Sequence, residues 1–190
     1  MNEPWPPVAA ELPEPHPDAP PPGTELAEHY ARCFGCGHEQ EHGLHLRATV
    51  ADEYTVYARF TVTEAHQGAP GLAHGGLLAC AFDEALGTTI GHLVRQPAVT
   101  GRLETDFVRP VPVGTTLHIT SRLRGVARRQ VFASADGRID SADGPVAVRA
   151  RAIFVIVSFT HFTSHGRQED LDAVAKDPTL LRRRRYDINP

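Results

Sequence analysis

The stretch GLAHGGLLACAFDEALG, residues 71–87, decides how this chain reads. A glycine pair opens a run of small and apolar residues, and two adjacent acids, Asp83 and Glu84, stand inside it. The pattern predicts a helix that starts at His74-Gly75-Gly76 and runs to about Leu93, roughly 28 Å at ~1.5 Å per residue. Residues three and four apart share a stripe. Gly76, Cys80, Asp83, Gly87 and Ile90 then occupy one face, and Leu78, Phe82, Ala85 and Thr89 another. Glu84 sits about a third of a turn away. A buried carboxylate costs several kcal/mol unless it is paired, hydrogen-bonded or protonated. Asp83 is therefore expected among very small residues, where another group can approach the helix closely. Glu84 is expected as a surface or salt-bridged acid.

Around this helix the chain reads as strands. GLHLRATV (43–50) and YTVYARFTV (54–62) form a plausible hairpin, with Val56, Ala58, Phe60 and Val62 on one face. After the helix come AVTGRLETDFVRP, TTLHITSRLRGV, RQVFASADGRI and VAVRARAIFVIVS. Asp136-Gly137 and Asp143-Gly144 mark turns. Strands do not alternate with helices, so the expected class is α+β: an antiparallel sheet with helices on one face. The last strand is apolar on both faces. One face is expected on the helix and the other on something else, such as a partner subunit.

The flanks have a different composition. Residues 1–24 are dense in proline and acid and read as a disordered or polyproline-like tail. A short helix is expected at ELAEHYARCFG (25–35). The main domain is placed at 25–160, and 161–190 reads as a helix followed by a basic tail, Arg182 to Arg185. Four terminal arginines are more often a solvated surface than a binding site. The 190 residues, 41% hydrophobic and 22% charged, suit one soluble domain with extensions. A net charge of −4 argues against a nucleic-acid binder. No apolar run reaches the ~18 residues of a membrane span, so no membrane partner is expected. The first residues lack a secretory pattern. Three cysteines fit a reducing cytosol better than a disulfide scaffold, so a cytoplasmic location is expected.

HQGAPGLAHGGLLACAFDEALG, followed by TGRLETDFVRPVPVGTTL and preceded by CFGCGHEQEHGLHLR, resembles the PaaI-like branch of hotdog-fold thioesterases over roughly residues 30–158. His-Gly-Gly alone is a weak signal. His-Gly-Gly, an acid nine residues later and a threonine opening the next strand are together far more specific. The resemblance implies a sheet curled around one long central helix, two subunits paired edge to edge, and active sites at their interface in a homodimer or homotetramer. It implies acyl-CoA thioester hydrolysis without a cofactor or a metal. Transferred position by position, Asp83 is the acid, contributed by one subunit. Gly75 is the oxyanion donor, contributed by the other. Thr100 supplies an assisting hydroxyl, His74 lies beside the carbonyl, and Gly76 is taken as a substrate contact. Many relatives carry an asparagine in the preceding loop. Here Gln67 stands there and inherits that role.

The chemistry agrees. Hydrolysis builds negative charge on the thioester oxygen, and a helix N-terminus offers free N–H groups and about half a positive charge. A carboxylate in a water-poor site can act as general base or attack directly to give an anhydride. The CoA phosphates need cations, for which Arg109, Arg128 and Arg129 are candidates, with Arg124 behind them.

Plainer readings stand beside these. Asp83 could pair with Arg102 or Arg109 as a structural acid, His74 could cap the loop, and Thr100 could be an ordinary strand residue. Cys33, Cys36, His38 and His42 form C-x2-C-x-H-x3-H, which has zinc-ligand types. The second pair follows almost at once, and a packed turn without metal is expected instead. A non-hydrolysing acyl-CoA binder or regulator is the main functional rival, and a purely structural dimerisation domain is a third reading. A dehydratase is disfavoured, because its HFPG-type arrangement is absent.

Overall fold

The computed structural model describes residues 4–176. The elements follow in order as β1 (Glu25–Leu26), β2 (Arg47–Asp52), β3 (Thr55–Thr61), a 3-10 turn at Glu64–His66, β4 (Gln67–Ala69), β5 (Leu72–Ala73) and α1 (Gly75–Leu93). Then come β6 (Ala98–Phe107), β7 (Thr116–Ala127), β8 (Gln130–Ile139), β9 (Val146–Ile156), α2 (Thr160–His165) and α3 (Gln168–Lys176). Seven strands form an antiparallel sheet in the order β1-β2-β3-β7-β8-β9-β6, and β4 and β5 make a separate small pair. The sheet wraps around α1, which is the hotdog architecture expected from the sequence.

Period-2 patterning builds the inner face. Leu117, Ile119, Ser121 and Leu123 of β7 are buried, while Arg124 is exposed. Val148, Ala150, Ala152 and Phe154 of β9 join the same core as Phe82, Ala85, Leu86 and Ile90 of α1. Ser121 would be costly there without a partner. Its hydroxyl is hydrogen-bonded to that of Thr89 on α1 at 2.7 Å. Gly137 on β8 is a close-approach glycine, since a Cβ there would lie 2.6 Å from the Phe82 ring. The helix therefore rests directly on sheet backbone at that point.

Residues 25–35 depart from the expected short helix. They form β1 and then turns, with Cys33 N–H donating to the Tyr30 carbonyl and Gly37 N–H to that of Cys33. The reason is close packing on α1. A Cβ on Gly35 would lie 2.3 Å from a Glu84 carboxylate oxygen, so the chain must double back around that side chain instead of winding into a helix. At the other end, α2 and α3 lie where a helix was expected, and Tyr30 donates to Asp170 at 3.4 Å. The Arg182–Arg185 run lies outside the described residues.

Residues 4–24, expected as a tail, carry contacts that tie them to the outside of the sheet. Glu11 and Val126 exchange two backbone hydrogen bonds, and the Tyr54 hydroxyl donates to the Pro13 carbonyl. The Trp5 ring meets Phe132 edge-on at 5.7 Å and lies 4.8 Å from the Arg151 guanidinium. Phe132, on the outer face of β8, is fully buried. Trp5→Ala is thus expected to cost roughly 1–3 kcal/mol of stability, the usual range for losing such a packing contact. Thermal unfolding by circular dichroism measures it, and an unchanged melting temperature would show that the Trp5 contact adds nothing.

Candidate active site

Asp83 projects from α1 towards β6, and the two are joined by one hydrogen bond: the Thr100 hydroxyl donates to Asp83 Oδ1 at 2.8 Å. A β-bulge makes this possible. Pairing of β6 with β9 shifts register between Thr100 and Arg102, with Gly101 as the extra residue. Ala98 and Leu103 both join the core, so strict alternation back from Leu103 would turn Thr100 outwards. The extra residue keeps it on the helix side, a use typical of bulges beside functional groups.

The arginines considered as partners of Asp83 are engaged elsewhere. Arg102 is ion-paired with Glu104 at 2.5 Å, and Arg109 Nη1 donates to the Val146 carbonyl at 2.5 Å. Asp83 is half-buried without a cation on it among the described residues. Burial pushes its carboxyl above the ordinary aspartate range, the Thr100 hydrogen bond pulls it part of the way back, and the charge of Glu84 adds to the rise. Burial, reinforced by the charge of Asp83, also pushes the Cys80 thiol up to about 11. Cys80 is therefore a neutral small side chain on the Asp83 face.

The helix start is built by its cap. His74 accepts the Gly76 N–H on its Nδ1 at 2.9 Å, while its own N–H donates to the His66 carbonyl. Gly76 N–H is thus taken up, and Leu77 and Leu78 both donate to the His74 carbonyl. The Gly75 N–H is the first of the helix and has no carbonyl one turn back. Phe107 at the end of β6 stands over it, with its ring 3.5 Å from where a Gly75 Cβ would be, and is itself exposed. Gln67 is held inside its own loop: its Oε1 accepts the Gly71 N–H at 2.7 Å, and its Nε2 donates to Glu64. It braces the loop that precedes the helix.

The structure does not bring all the expected site residues together within one chain. Gly75 and Asp83 are eight residues apart on one straight rod, about 12 Å along the axis. A single carbonyl group cannot touch both. The phosphate candidates are also divided. Arg128 and Arg129 form the β7–β8 turn, at the sheet end where Val99 pairs with Val155 and Val155 with Gln130. Arg129 Nε there donates to the Ile156 carbonyl. Arg109 lies at the opposite end, beyond Phe107. The Arg124 Nε donates to the Ser134 hydroxyl at 2.7 Å, on the outer side of the sheet.

A second cluster lies one residue away from Asp83. Glu84 is turned the other way and is largely buried, with Cys33, Cys36 and His29 around it. Burial alone would lower the His29 imidazole, but hydrogen bonds to Cys33 and Glu84 and their charges outweigh it and hold it at about 9. The Cys36 hydrogen bond brings the Cys33 thiol down to about 5 against burial, and Cys36 is raised correspondingly. The C-x2-C pair was visible in the sequence. His29 and Glu84 were not read as its partners; His38, considered for that place, bonds to Glu28 instead.

A long helix crossed by an antiparallel sheet, with an acid-bearing face and a capped, glycine-rich start, is the build of the hotdog fold. Residues 70–145, from β5 through β8, match the family model of the thioesterase superfamily. The acyl-coenzyme A thioesterase THEM4 of Bos taurus is 40% identical over 72 residues, which is 38% of this chain and 29% of that protein. The chain thus spans under a third of that relative's length. The PaaI protein of the E. coli phenylacetic acid degradation operon has a TM-score of 0.55 at 21% identity, covering 60% of this chain and 81% of that one. A hypothetical thioesterase of Streptococcus pneumoniae TIGR4, solved with coenzyme A, has a TM-score of 0.55 at 16% identity, covering 60% and 86%. At these identities the two structures speak for the fold.

Proposed function

We propose that the chain hydrolyses acyl-CoA thioesters to a free acid and coenzyme A. The observation that carries this is the Thr100–Asp83 hydrogen bond, which holds a cation-free carboxylate on the smallest-residue face of α1. Thr100 occupies Oδ1, leaving Oδ2 to take a proton from water or to attack the carbonyl carbon. The Gly75 N–H, at the positive end of α1, receives the charge that develops on the thioester oxygen. The 12 Å between these groups supports a site completed by a second copy. β6 supports it too: this ten-residue strand pairs with β9 on one side and forms the edge of the sheet, the natural place for another chain. A homodimer, alone or doubled into a tetramer, follows. Arg128 and Arg129 lie at the Thr100 end of the sheet and are the better candidates for CoA phosphates; Arg109 lies at the Gly75 end. THEM4 and the CoA-bound streptococcal structure support CoA as the carrier. Thiol release from a panel of acyl-CoA thioesters tests the activity, and no release above background from any member would overturn it.

Thr100→Ala gives a finer check. A hydrogen bond to a charged group contributes ~1.5 kcal/mol or more, so its loss is expected to lower kcat about tenfold. The bond favours the ionised carboxylate, so its removal leaves burial unopposed and moves the Asp83 midpoint further up. Since the ionised form reacts, the acid limb of kcat against pH should shift to higher pH in the variant. A limb that stays in place, or moves down, would separate Thr100 from the reacting carboxylate.

A further inference from the structure

We propose that His29, Cys33, Cys36 and Glu84 form a structural zinc site that fastens the segment before β2 to α1. The four side chains offer one imidazole nitrogen, two sulfurs and one carboxylate oxygen, all within 4.8 Å of one another. Zinc–ligand distances of ~2.0–2.3 Å in a tetrahedron require ligand-to-ligand edges of about 3.3–3.8 Å. The edges here are 3.2 Å from His29 Nδ1 to Cys36 Sγ, 3.5 Å from His29 Nδ1 to Glu84 Oε1, and 3.5 Å from Cys33 Sγ to Glu84 Oε2. These three of the six edges are close to that range, with the two to Glu84 ending on different oxygens of its carboxylate, and the full set lies within 4.8 Å, so small side-chain adjustments would close a tetrahedron around an ion.

Three further observations point the same way. Glu84 Oε1 is buried, makes no hydrogen bond of good geometry among the described residues and has only His29 Nδ1 at 3.5 Å, a long contact that a directly bound metal ion would replace with a closer one. The Gly35 N–H donates to Cys33 Sγ at 3.3 Å, which suits a thiolate. Gly35 also has no Cβ to collide with Glu84 Oε2, so the loop is shaped to let the Glu84 carboxylate in. Two thiolates, an imidazole and a carboxylate are a donor set that favours zinc over the harder magnesium and calcium. With four protein ligands the shell is closed, so the ion holds structure and carries no reacting water. The competing occupant is a proton shared among the same groups. The sequence expectation of a metal-free turn, and the pairing of Cys33 and Cys36 with His38 and His42, both give way in this proposal.

The test is metal content and ligand-field spectroscopy of the untagged, reduced chain. About one zinc per chain is expected after loading and gel filtration. Exchange for cobalt should give the intense d–d bands of a tetrahedral ion with a thiolate charge-transfer band. Cys33→Ser with Cys36→Ser should abolish both signals, while Cys80→Ser, beside the cluster but outside it, should keep them. Glu84→Gln should weaken zinc at least about tenfold. A wild-type chain that retains no zinc, a weak six-coordinate cobalt spectrum, or full zinc in the double-serine variant would each overturn the site. If the double variant fails to fold, the wild-type cobalt spectrum alone decides. None of these readouts depends on thioester hydrolysis.

Discussion

Asp83→Asn lowers kcat by about 10² to 10⁴, the span expected when a general base is lost, with substrate binding retained. Asparagine keeps the size of the side chain and can still meet the Thr100 hydroxyl that holds Oδ1. What it lacks is a basic or nucleophilic oxygen. No arginine among the described residues depends on Asp83 for charge balance, so the loss should not be confounded by an orphaned cation. Steady-state thiol release from one good acyl-CoA, with circular dichroism to verify folding, measures it. Glu84→Gln is the companion. Its side chain points away into the His29 and Cys33 cluster, so its effect should fall on stability and on metal, and much less on kcat. If Asp83→Asn turns over at nearly the wild-type rate, or Glu84→Gln is the more damaging change to kcat, the acid has been wrongly assigned.

Mixing two inactive variants restores activity. Gly75→Val fills the space above the helix start, and its Cβ meets the Phe107 ring at an ordinary 3.5 Å, so the fold should accept it. The added bulk keeps a thioester oxygen from the first N–H, and a loss of about 10² is expected, as for an oxyanion donor. Asp83→Asn is defective at the other half. If each site takes Gly75 from one copy and Asp83 from its partner, a mixed dimer holds one site with both groups intact and one with neither. Random exchange of subunits in a two-fold dimer then gives about a quarter of the wild-type rate. Co-expression with distinct affinity tags isolates the mixed species and measures its rate directly. A mixture no more active than its parents would place both groups in one chain and contradict the 12 Å argument.

The residues that repeat with a fixed period were legible. α1 begins at Gly75 and ends at Leu93, and its buried Leu78, Phe82, Ala85 and Thr89 follow from spacing alone, whereas Gly87 and Ile90, placed on the Asp83 face, are buried as well. The strand of Leu117, Ile119 and Leu123 was equally plain. Thr100 was assigned to the site through resemblance, and its orientation could not be read from alternation, because the residue that reverses it is an unpaired Gly101. ELAEHYARCFG carries an apolar spacing compatible with a helix. Its true course is set by Glu84, some fifty residues downstream, and a local pattern holds no record of so distant a contact. The same distance hid the choice among histidines. His38 and His42 follow the cysteines closely in sequence, but His29 is the one that shares the Glu84 carboxylate.

The exposed edge of β6 also bears on how this protein behaves as a single copy. The N–H and C=O groups of this ten-residue strand that β9 does not take face outwards, and with exposed Phe107 at its end and Val108 just beyond they form a template for any extended segment that arrives first. If the proposed dimer covers this edge, a newly made copy that has not yet paired should be prone to clump, and overproduced material should suffer most. Loosening the contact by truncating side chains would leave that backbone template in place. An engineer wanting a soluble single copy would have to blunt the strand itself, with a proline or a lysine whose side chain covers the open hydrogen-bonding row.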